Sequence, residues 1–180
     1  RKEACPYNIT PTASTTATLA LGDALAMCVM ERRRFGKDDF ARLHPAGTLG
    51  KLLTLTVADL MRTGADNPVV GQDRTVQEAL AVMTRTRLGA TNVVDHKGKL
   101  VGFFTDGDLR RCLLDDPGML KRKLSQVMTK NPVTVAPDDM AAEAAGLIKR
   151  YGVDNLPVRD RSGKPVGVLD ERDLLSEGLA

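Results

Sequence analysis

The chain has 180 residues, of which 42% are apolar and 27% are charged, so it has enough material for a folded core. Its 26 Lys and Arg residues against 23 Asp and Glu residues give a formal net charge of +3. A nucleic-acid-binding surface would need basic side chains beside stacking aromatic residues, whereas this chain has two Tyr, four Phe and no Trp, scattered along its length. We therefore expect a globular protein with no nucleic-acid partner.

The cysteines and the apolar runs indicate the cellular location. Cys5, Cys28 and Cys112 are odd in number and far apart, which favours neither a disulfide framework nor a metal-ligand spacing. A reducing, cytoplasmic location fits best, and we expect no bound metal. We see no signal peptide and no apolar run of the roughly 18 residues needed to span a membrane, so we expect no membrane partner. The sequence opens without Met, which predicts a fragment of a longer protein.

In chain order, the first predicted element is a helix over residues 14–34. Its apolar residues cover most of its circumference, with Ala17 and Leu21 on one face and Leu19 near the remainder. A free helix of this kind would expose a large apolar surface. We expect it to pack against a missing part of the protein or against another chain.

A histidine follows this helix, in the stretch ARLHPAGTLGKLL at residues 41–53. The pKa of His44 should lie near neutrality, which suits acid–base chemistry if the side chain lies in a cleft. The residue alone does not decide between that role and a surface loop.

Two copies of one unit make up the rest of the chain. Setting residues 73–110 beside residues 138–175 without a gap pairs Glu78 with Glu143, Val93 with Val158, Gly102 with Gly167 and Asp108 with Asp173. Each copy predicts a strand, a helix, two strands joined by a glycine-containing turn, and a short helix opened by acidic residues. A unit of about 55 residues buries too little surface to be stable alone, so the copies should pair.

Residues 57 to about 178 resemble a pair of cystathionine-β-synthase-type (CBS) domains. The most specific part of the resemblance is a pattern of Gly, two apolar residues, Thr or Ser, two variable residues and Asp, which residues 102–108 match in full. The resemblance implies an α/β (α+β) fold with domains at 57–118 and 119–180. It also implies a pseudo-twofold arrangement with clefts between the two sheets.

Thr105 and Asp108 stand at the positions where this family holds the phosphate or ribose of a nucleotide. The Thr105 hydroxyl can donate to a phosphate oxygen, and the Asp108 carboxylate can accept from a ribose cis-diol. The alternative is that the acidic residues only cap the helix that follows. We favour capping for Asp106 and the ligand role for Asp108. Arg110, Arg111 and Arg172 are available to neutralise a ligand or are solvated.

The second copy departs from the family pattern at one position. Asp170 stands where the family has Thr or Ser, while Asp173 keeps the final Asp and stays a candidate ligand residue. An ionised carboxylate at Asp170 would repel a phosphate by on the order of 1 kcal/mol. We therefore expect two unlike clefts. The one served by Thr105 and Asp108 binds, and the other is empty or takes a ligand whose anionic group lies elsewhere.

The segments KEACPYNITPTASTTATLALGDALA and RRFGKDDFARLHPAGTLGKLL, followed by the CBS-like pair, extend the resemblance over the whole chain. In order and spacing they resemble the C-terminal part of D-arabinose 5-phosphate isomerases. That family joins a sugar-isomerase (SIS) domain, an α/β fold around a parallel sheet, to a CBS pair. The resemblance implies that residues 1–56 are the C-terminal helical remnant of the SIS domain and a linker.

This resemblance implies a reaction and two catalytic residues. The family interconverts D-ribulose 5-phosphate and D-arabinose 5-phosphate for synthesis of Kdo, an acidic sugar of lipopolysaccharide, by proton transfer that needs an acid and a base and no cofactor. Its site uses a lysine, two glutamates and a histidine, of which Glu3 matches the second glutamate and His44 the histidine. The other two would lie upstream of Arg1, so we expect no isomerase activity from this chain alone.

The resemblance also implies a regulatory role for the CBS pair. Its small-molecule effector would be an adenine nucleotide by family default, or a cytidine-linked sugar by the logic of feedback. We expect a homo-oligomer, because CBS pairs commonly dimerise and the isomerases are commonly tetramers. A ligand-free structural or oligomerising module and a paralogous sugar-phosphate isomerase stay open as alternatives.

Overall fold

A computed structural model describes residues 2–43, 47–116 and 118–179. The chain divides into two compact units, Arg1–Pro45 and Ala46–Ala180. The described part of the first unit is helical, and the second unit combines helices with β-sheet. The mixed α+β architecture that the sequence predicts is therefore confirmed.

The first unit contains α1 (Ala13–Arg32) and α2 (Lys37–Leu43). The bounds of α1 lie within two residues of the predicted helix. None of the α1 residues, all of which the structure describes, is buried, and Leu19 is 68% exposed. The apolar surface that we expected to be covered is therefore open in this unit. His44 lies outside the described residues.

Helix α1 is long and apolar enough to cross a membrane, judged by length and composition alone. This corrects the expectation that no run of the chain meets that criterion, because the mean hydropathy of an 18-residue window of α1 is 1.3. Gly22 and Asp23 interrupt the run, while Ala, Leu and Met keep its average high. One such helix near the start of a chain is weak evidence for a membrane span, since core helices and signal sequences meet the same criterion.

The second unit contains both predicted repeats. It opens with α3 (Thr48–Thr54), α4 (Val57–Leu60) and a 3-10 turn (Gly64–Asp66). The first repeat consists of β1 (Val69–Gly71), α5 (Val76–Thr86), β2 (Ala90–Val94), β3 (Leu100–Thr105) and α6 (Asp106–Asp115). A 3-10 turn (Met119–Lys121), α7 (Leu124–Val127) and β4 (Thr129–Lys130) lead to α8 (Ala141–Tyr151), β5 (Asn155–Arg159), β6 (Pro165–Asp170) and α9 (Glu171–Ser176).

The strands form one larger and one smaller sheet. The first has the order β1-β2-β3-β4, with β1 parallel to β2 and the other neighbours antiparallel. The second is the antiparallel pair of β5 and β6, so both predicted hairpins are confirmed. The strand predicted at the start of the second copy is replaced by a single parallel bridge between Val135 and Val158.

Each repeat is completed by the segment that precedes the other one. Val57 of α4, ahead of the first repeat, belongs to the core of the second repeat with Leu156. Leu124 of α7, ahead of the second repeat, belongs to the core of the first repeat with Val93 and Phe104. Separating the repeats would therefore open both cores.

The exchanged segments approach closely at a glycine in each repeat. A Cβ on Gly167 would lie 2.8 Å from the carbonyl oxygen of Arg62 and 2.9 Å from the sulfur of Met61. A Cβ on Gly102, its repeat partner, would collide with Met128. Both positions therefore need glycine because another chain segment occupies the space of a side chain.

Gly167→Ala should lower the free energy of unfolding by ~1–3 kcal/mol, because the Arg62 carbonyl is backbone and cannot move aside cheaply. Urea unfolding of the 180-residue chain measures this. Gly146→Ala is the matched control, since Gly146 lies in α8 and its added Cβ would meet nothing within 4 Å. The control should raise stability by up to about 1 kcal/mol, and an equal loss in both variants would contradict the packing argument.

Candidate functional site

A cavity of about 840 Å³ lies between the two repeats of the second unit. Its walls are the end of β3 with the start of α6, the end of β6 with the start of α9, and linker residues 131–133. The volume is in the range of pockets that hold small-molecule ligands. Both of the sequence positions that we assigned to separate clefts, Thr105 and Asp170, line this one cavity.

On the first-repeat side, Thr105 and Asp108 form the cap of α6. The Thr105 hydroxyl accepts a hydrogen bond from the Asp108 N–H at 3.2 Å. One Asp108 carboxylate oxygen, Oδ2, accepts from the Thr105 N–H and hydroxyl, each at 2.9 Å. This reciprocal capping box satisfies otherwise free donors at the helix start. The capping that we assigned to Asp106 is therefore made by Thr105 and Asp108, and Asp106 is the first residue of α6.

The second carboxylate oxygen of Asp108 meets two further donors. It accepts from Nη2 of Arg111 at 2.6 Å and from the Thr129 hydroxyl at 3.4 Å. Asp108 is only 7% exposed, whereas the side chain of Arg111 is largely exposed beside the cavity. The structure brings Asp108 to the cavity wall, and its contact with a ribose stays a prediction.

On the second-repeat side, Asp170 is buried beside two arginines. Its Oδ1 accepts from the N–H and the Nε of Arg172 at 2.9 and 3.0 Å, and Nη2 of Arg62 lies 3.7 Å from its Oδ2. Burial raises the pKa of Asp170, but the hydrogen bonds and charge of Arg172, with the charge of Arg62, outweigh burial and hold that pKa below its usual value. The carboxylate is thus ionised and its charge is balanced, so simple repulsion of a phosphate does not describe this wall.

Asp173 is placed differently from Asp108, its repeat partner. The Nε and Nη2 groups of Arg62 donate to its two carboxylate oxygens at 2.9 and 3.2 Å. Among the described residues that line the cavity, Thr105 and Asp108 are present and Asp173 is not. The ligand role of Asp173 stays a prediction.

Arg62 is a residue that the sequence analysis missed. Its backbone pairs antiparallel with that of Val168, and the backbone of Thr129 pairs in the same way with that of Phe103. Val168 and Phe103 occupy equivalent positions in the two repeats. Arg62 and Thr129 are therefore equivalent, although the gapless repeat alignment stops short of both. The signal was a methionine directly before each of them, Met61 and Met128.

The charged residues around the cavity suit binding rather than covalent chemistry. Its basic members are Arg87, Arg110, Arg111 and Arg172, and its acidic members are Asp106, Asp108, Asp154, Asp170 and Glu171. Asp108 and Asp170 are each paired with an arginine. Guanidinium groups offer paired donors to phosphate and carboxylate groups. The start of α6 adds backbone N–H groups and the positive end of a helix dipole. The arrangement can therefore hold an anionic ligand with hydroxyl groups.

Glu3, the catalytic candidate in the first unit, is held at the start of α1. Its Oε2 accepts from the N–H and hydroxyl of Thr12 at 2.8 and 3.2 Å and from the Ser14 N–H at 3.1 Å. Hydrogen bonding by the Ser14 side chain, then by the backbone of Thr12 and Ser14, lowers the pKa of Glu3 to about 2. An acid–base group for neutral pH needs a higher pKa. The described residues do not include His44, so both catalytic roles stay predictions.

Known proteins resemble this chain in sequence. Residues 57–115 and 124–180 match the family model described as the CBS domain. Arabinose 5-phosphate isomerase KdsD of Pseudomonas aeruginosa is 47% identical over 180 residues, which cover 99% of this chain and 55% of that protein. Arabinose 5-phosphate isomerase GutQ of Salmonella typhi is 42% identical over 178 residues, which cover 99% and 55%. The chain spans about half the length of these curated relatives and matches their C-terminal portion.

Solved structures resemble this chain over about 70% of its length. The crystal structure of CBSX2 in complex with AMP has a TM-score of 0.60 and 27% sequence identity, covering 70% of this chain and 97% of that one. The predicted tandem CBS fold is thereby confirmed.

Ser14→Ala should raise the pKa of Glu3 from about 2 towards 4.5, because it removes the hydrogen bonding that lowers this pKa most. Carbon-detected NMR titration of the Glu3 carboxyl measures both values. A folded-state pKa below the unfolded one means that Glu3 stabilises its unit above pH ~4.5 and loses this effect as the pH falls towards 2. A wild-type pKa near 4.5, or no change in the variant, would contradict the assigned contacts.

Proposed function

This chain belongs to the CBS domain family, and we propose that its inter-repeat cavity binds a nucleotide effector, with AMP as the first ligand to test. The observation that carries the proposal is the cavity of about 840 Å³ that has Thr105 and Asp108 on its wall. The crystal structure of CBSX2, a similar CBS protein, contains AMP, which supports the same ligand class here.

The residues at the start of α6 suit the ribose and phosphate of such a ligand. A ribose cis-diol would donate to Oδ1 of Asp108 in competition with Arg111, whose exposed side chain can swing to the phosphate. The phosphate would lie at the start of α6, where Thr105 turns its hydroxyl from Asp108 to a phosphate oxygen. The exchange replaces internal hydrogen bonds with ligand hydrogen bonds.

The apolar part of the lining suits a base. Apolar groups of the linker and the second repeat belong to it, among them Pro132, Val133, Val153 and Pro157. Such side chains bury the faces of a flat ring and leave its edge to backbone groups. The cavity therefore offers both polar and apolar groups, as a nucleotide requires.

Asp108→Asn should weaken AMP binding by about 10–100-fold, because the amide accepts fewer hydrogen bonds from the ribose than a carboxylate does. Isothermal titration calorimetry on the 180-residue chain measures the affinity. Asp138→Asn, at an exposed carboxylate that does not line the cavity, is the control and should leave the affinity within about 2-fold. Unchanged affinity in the Asp108 variant would refute the ribose assignment, and a large loss in an Asp173→Asn variant would add Asp173 to the site.

A second candidate function is a ligand-free structural or oligomerising module. The observation that favours it is that Thr105 and Asp108 already satisfy each other and Arg111 in the structure. Thermal unfolding distinguishes the two functions. A bound effector at 100 times its Kd stabilises by about 2.7 kcal/mol, which raises Tm by roughly 5–10 °C. No shift with AMP, ATP, CMP or nucleotide sugars would favour the structural module.

For the longer protein we propose the activity of the curated relatives. It would interconvert D-ribulose 5-phosphate and D-arabinose 5-phosphate for Kdo synthesis, in the cytoplasm and as a homo-oligomer, with Glu3 and His44 in its active site. For an acid–base role of Glu3, the rest of the longer protein would have to raise the pKa of Glu3 above its value of about 2 in this chain. The 47% identity to the KdsD protein supports this assignment, and the 42% identity to the GutQ protein keeps a paralogous isomerase as the alternative. The CBS pair would then adjust the isomerase activity to effector concentration.

The 180-residue chain alone should give no turnover of arabinose 5-phosphate above a protein-free blank, because it offers two of the four groups that the family uses. A colorimetric assay of the ketose product measures this, with the full-length Pseudomonas relative as a positive control. Turnover that disappears in Glu3→Gln would contradict the expectation and give the chain a catalytic site of its own.

A further inference from the structure

Four charged side chains of the second repeat and its partner segment form one connected group: Arg62, Asp170, Arg172 and Asp173. Arg62 grips both carboxylate oxygens of Asp173, at 2.9 and 3.2 Å. Arg172 binds Asp170 through its N–H and Nε, and Nη2 of Arg62 lies 3.7 Å from Oδ2 of Asp170. We call this group the Arg62 cluster.

The first repeat has small or differently placed residues at the same four positions. The sheet register and the repeat alignment give Thr129, Thr105, Gly107 and Asp108 as the equivalents of the Arg62 cluster. All four of these residues line the cavity. Of the Arg62 cluster, the described lining residues include Asp170 and Arg172 but neither Arg62 nor Asp173. The cavity therefore reaches all four positions in the first repeat but only two of the four in the second.

The backbone holds Arg62 in this place. Its N–H donates to the Val168 carbonyl at 2.9 Å, and the Val168 N–H donates to the Arg62 carbonyl at 3.1 Å. Gly167 lets the two segments approach, since a Cβ there would lie 2.8 Å from the Arg62 carbonyl oxygen. The Arg62 side chain is 25% exposed, so its bidentate contact is more sheltered from water than a surface ion pair.

The charges of the Arg62 cluster balance. Two guanidinium groups face two carboxylates, so an anionic ligand meets no excess negative charge there. It meets instead a position whose hydrogen-bond donors and acceptors are already paired with each other. A ligand that binds the Asp173 carboxylate would have to break its bidentate contact with Arg62, whose side chain is 25% exposed, and would leave that charge unpaired. A ligand that binds Asp108 displaces only the largely exposed Arg111.

We propose that the Arg62 cluster closes the second half-site, so that each chain binds one nucleotide, in the half that contains Thr105 and Asp108. The proposal rests on the proposed nucleotide binding for the identity of the ligand. In the second repeat, the Arg62 guanidinium takes the hydrogen bonds of Asp173 that a ligand would otherwise make. The two halves then differ in what occupies them, which is a nucleotide in the first and the Arg62 side chain in the second.

Exchanging the three positions at which the repeats differ tests the proposal, since the fourth is Asp in both. The variant Arg62→Thr, Asp170→Thr, Arg172→Gly copies the first repeat into the second, and calorimetric titration with AMP should change from one site per chain to two. The mirror variant Thr129→Arg, Thr105→Asp, Gly107→Arg should lose AMP binding. Circular dichroism and a cooperative thermal transition establish that each variant is folded. Two sites in the wild-type chain, or one site in the folded first variant, would overturn the proposal.

A ligand-free measurement separates this proposal from the proposed function. Arg62→Ala and Asp173→Ala should each lower Tm by about 3–6 °C, and the double variant should lower it no further than the larger single effect. The control pair is Arg161 and Asp138, an exposed pair at 3.5 Å, where the effects should be near zero. Additive losses at Arg62 and Asp173 would overturn the proposal. If AMP binds no variant, nucleotide binding is refuted and this coupling decides whether the Arg62 cluster exists.

Discussion

The exchange of backbone segments between the repeats is the constraint on which the rest of the structure depends. Each repeat holds the segment ahead of the other by a short antiparallel pairing, at Arg62 with Val168 and at Thr129 with Phe103. Gly167 and its partner in the first repeat make room for these segments. The cavity lies at the ends of β3 and β6, the strands to which these segments pair.

The same pairing produces two different half-sites, because its side chains differ. Thr129 is short and leaves space beside Asp108, and Arg62 reaches across to Asp173. Asp170, which would be a repulsive charge in isolation, becomes part of a balanced group beside Arg62. The backbones of the two repeats are therefore similar, but the side chains at the two half-sites differ. The residues that differ are ones that contact each other.

The sequence predicts most of this fold, because hydrophobic periodicity and turn glycines indicate the local elements. The repeat at a spacing of 65 residues indicates that these elements form two similar units. It also predicts Thr105 and Asp108 at the cavity, through a motif within one strand and helix. It did not predict Arg62, because its contact with Asp173 spans 111 positions and its equivalence to Thr129 appears only in the sheet register. Capping was assigned to Asp106 for a similar reason, since sequence order does not fix which side chain turns back to the helix start.

The most direct test of the account is a crystal structure of the 180-residue chain grown with AMP. We predict one AMP per chain, with its phosphate beside Thr105 at the start of α6, and Arg62 still bound to Asp173. AMP beside Asp170 and Asp173, with Arg62 displaced, would contradict it.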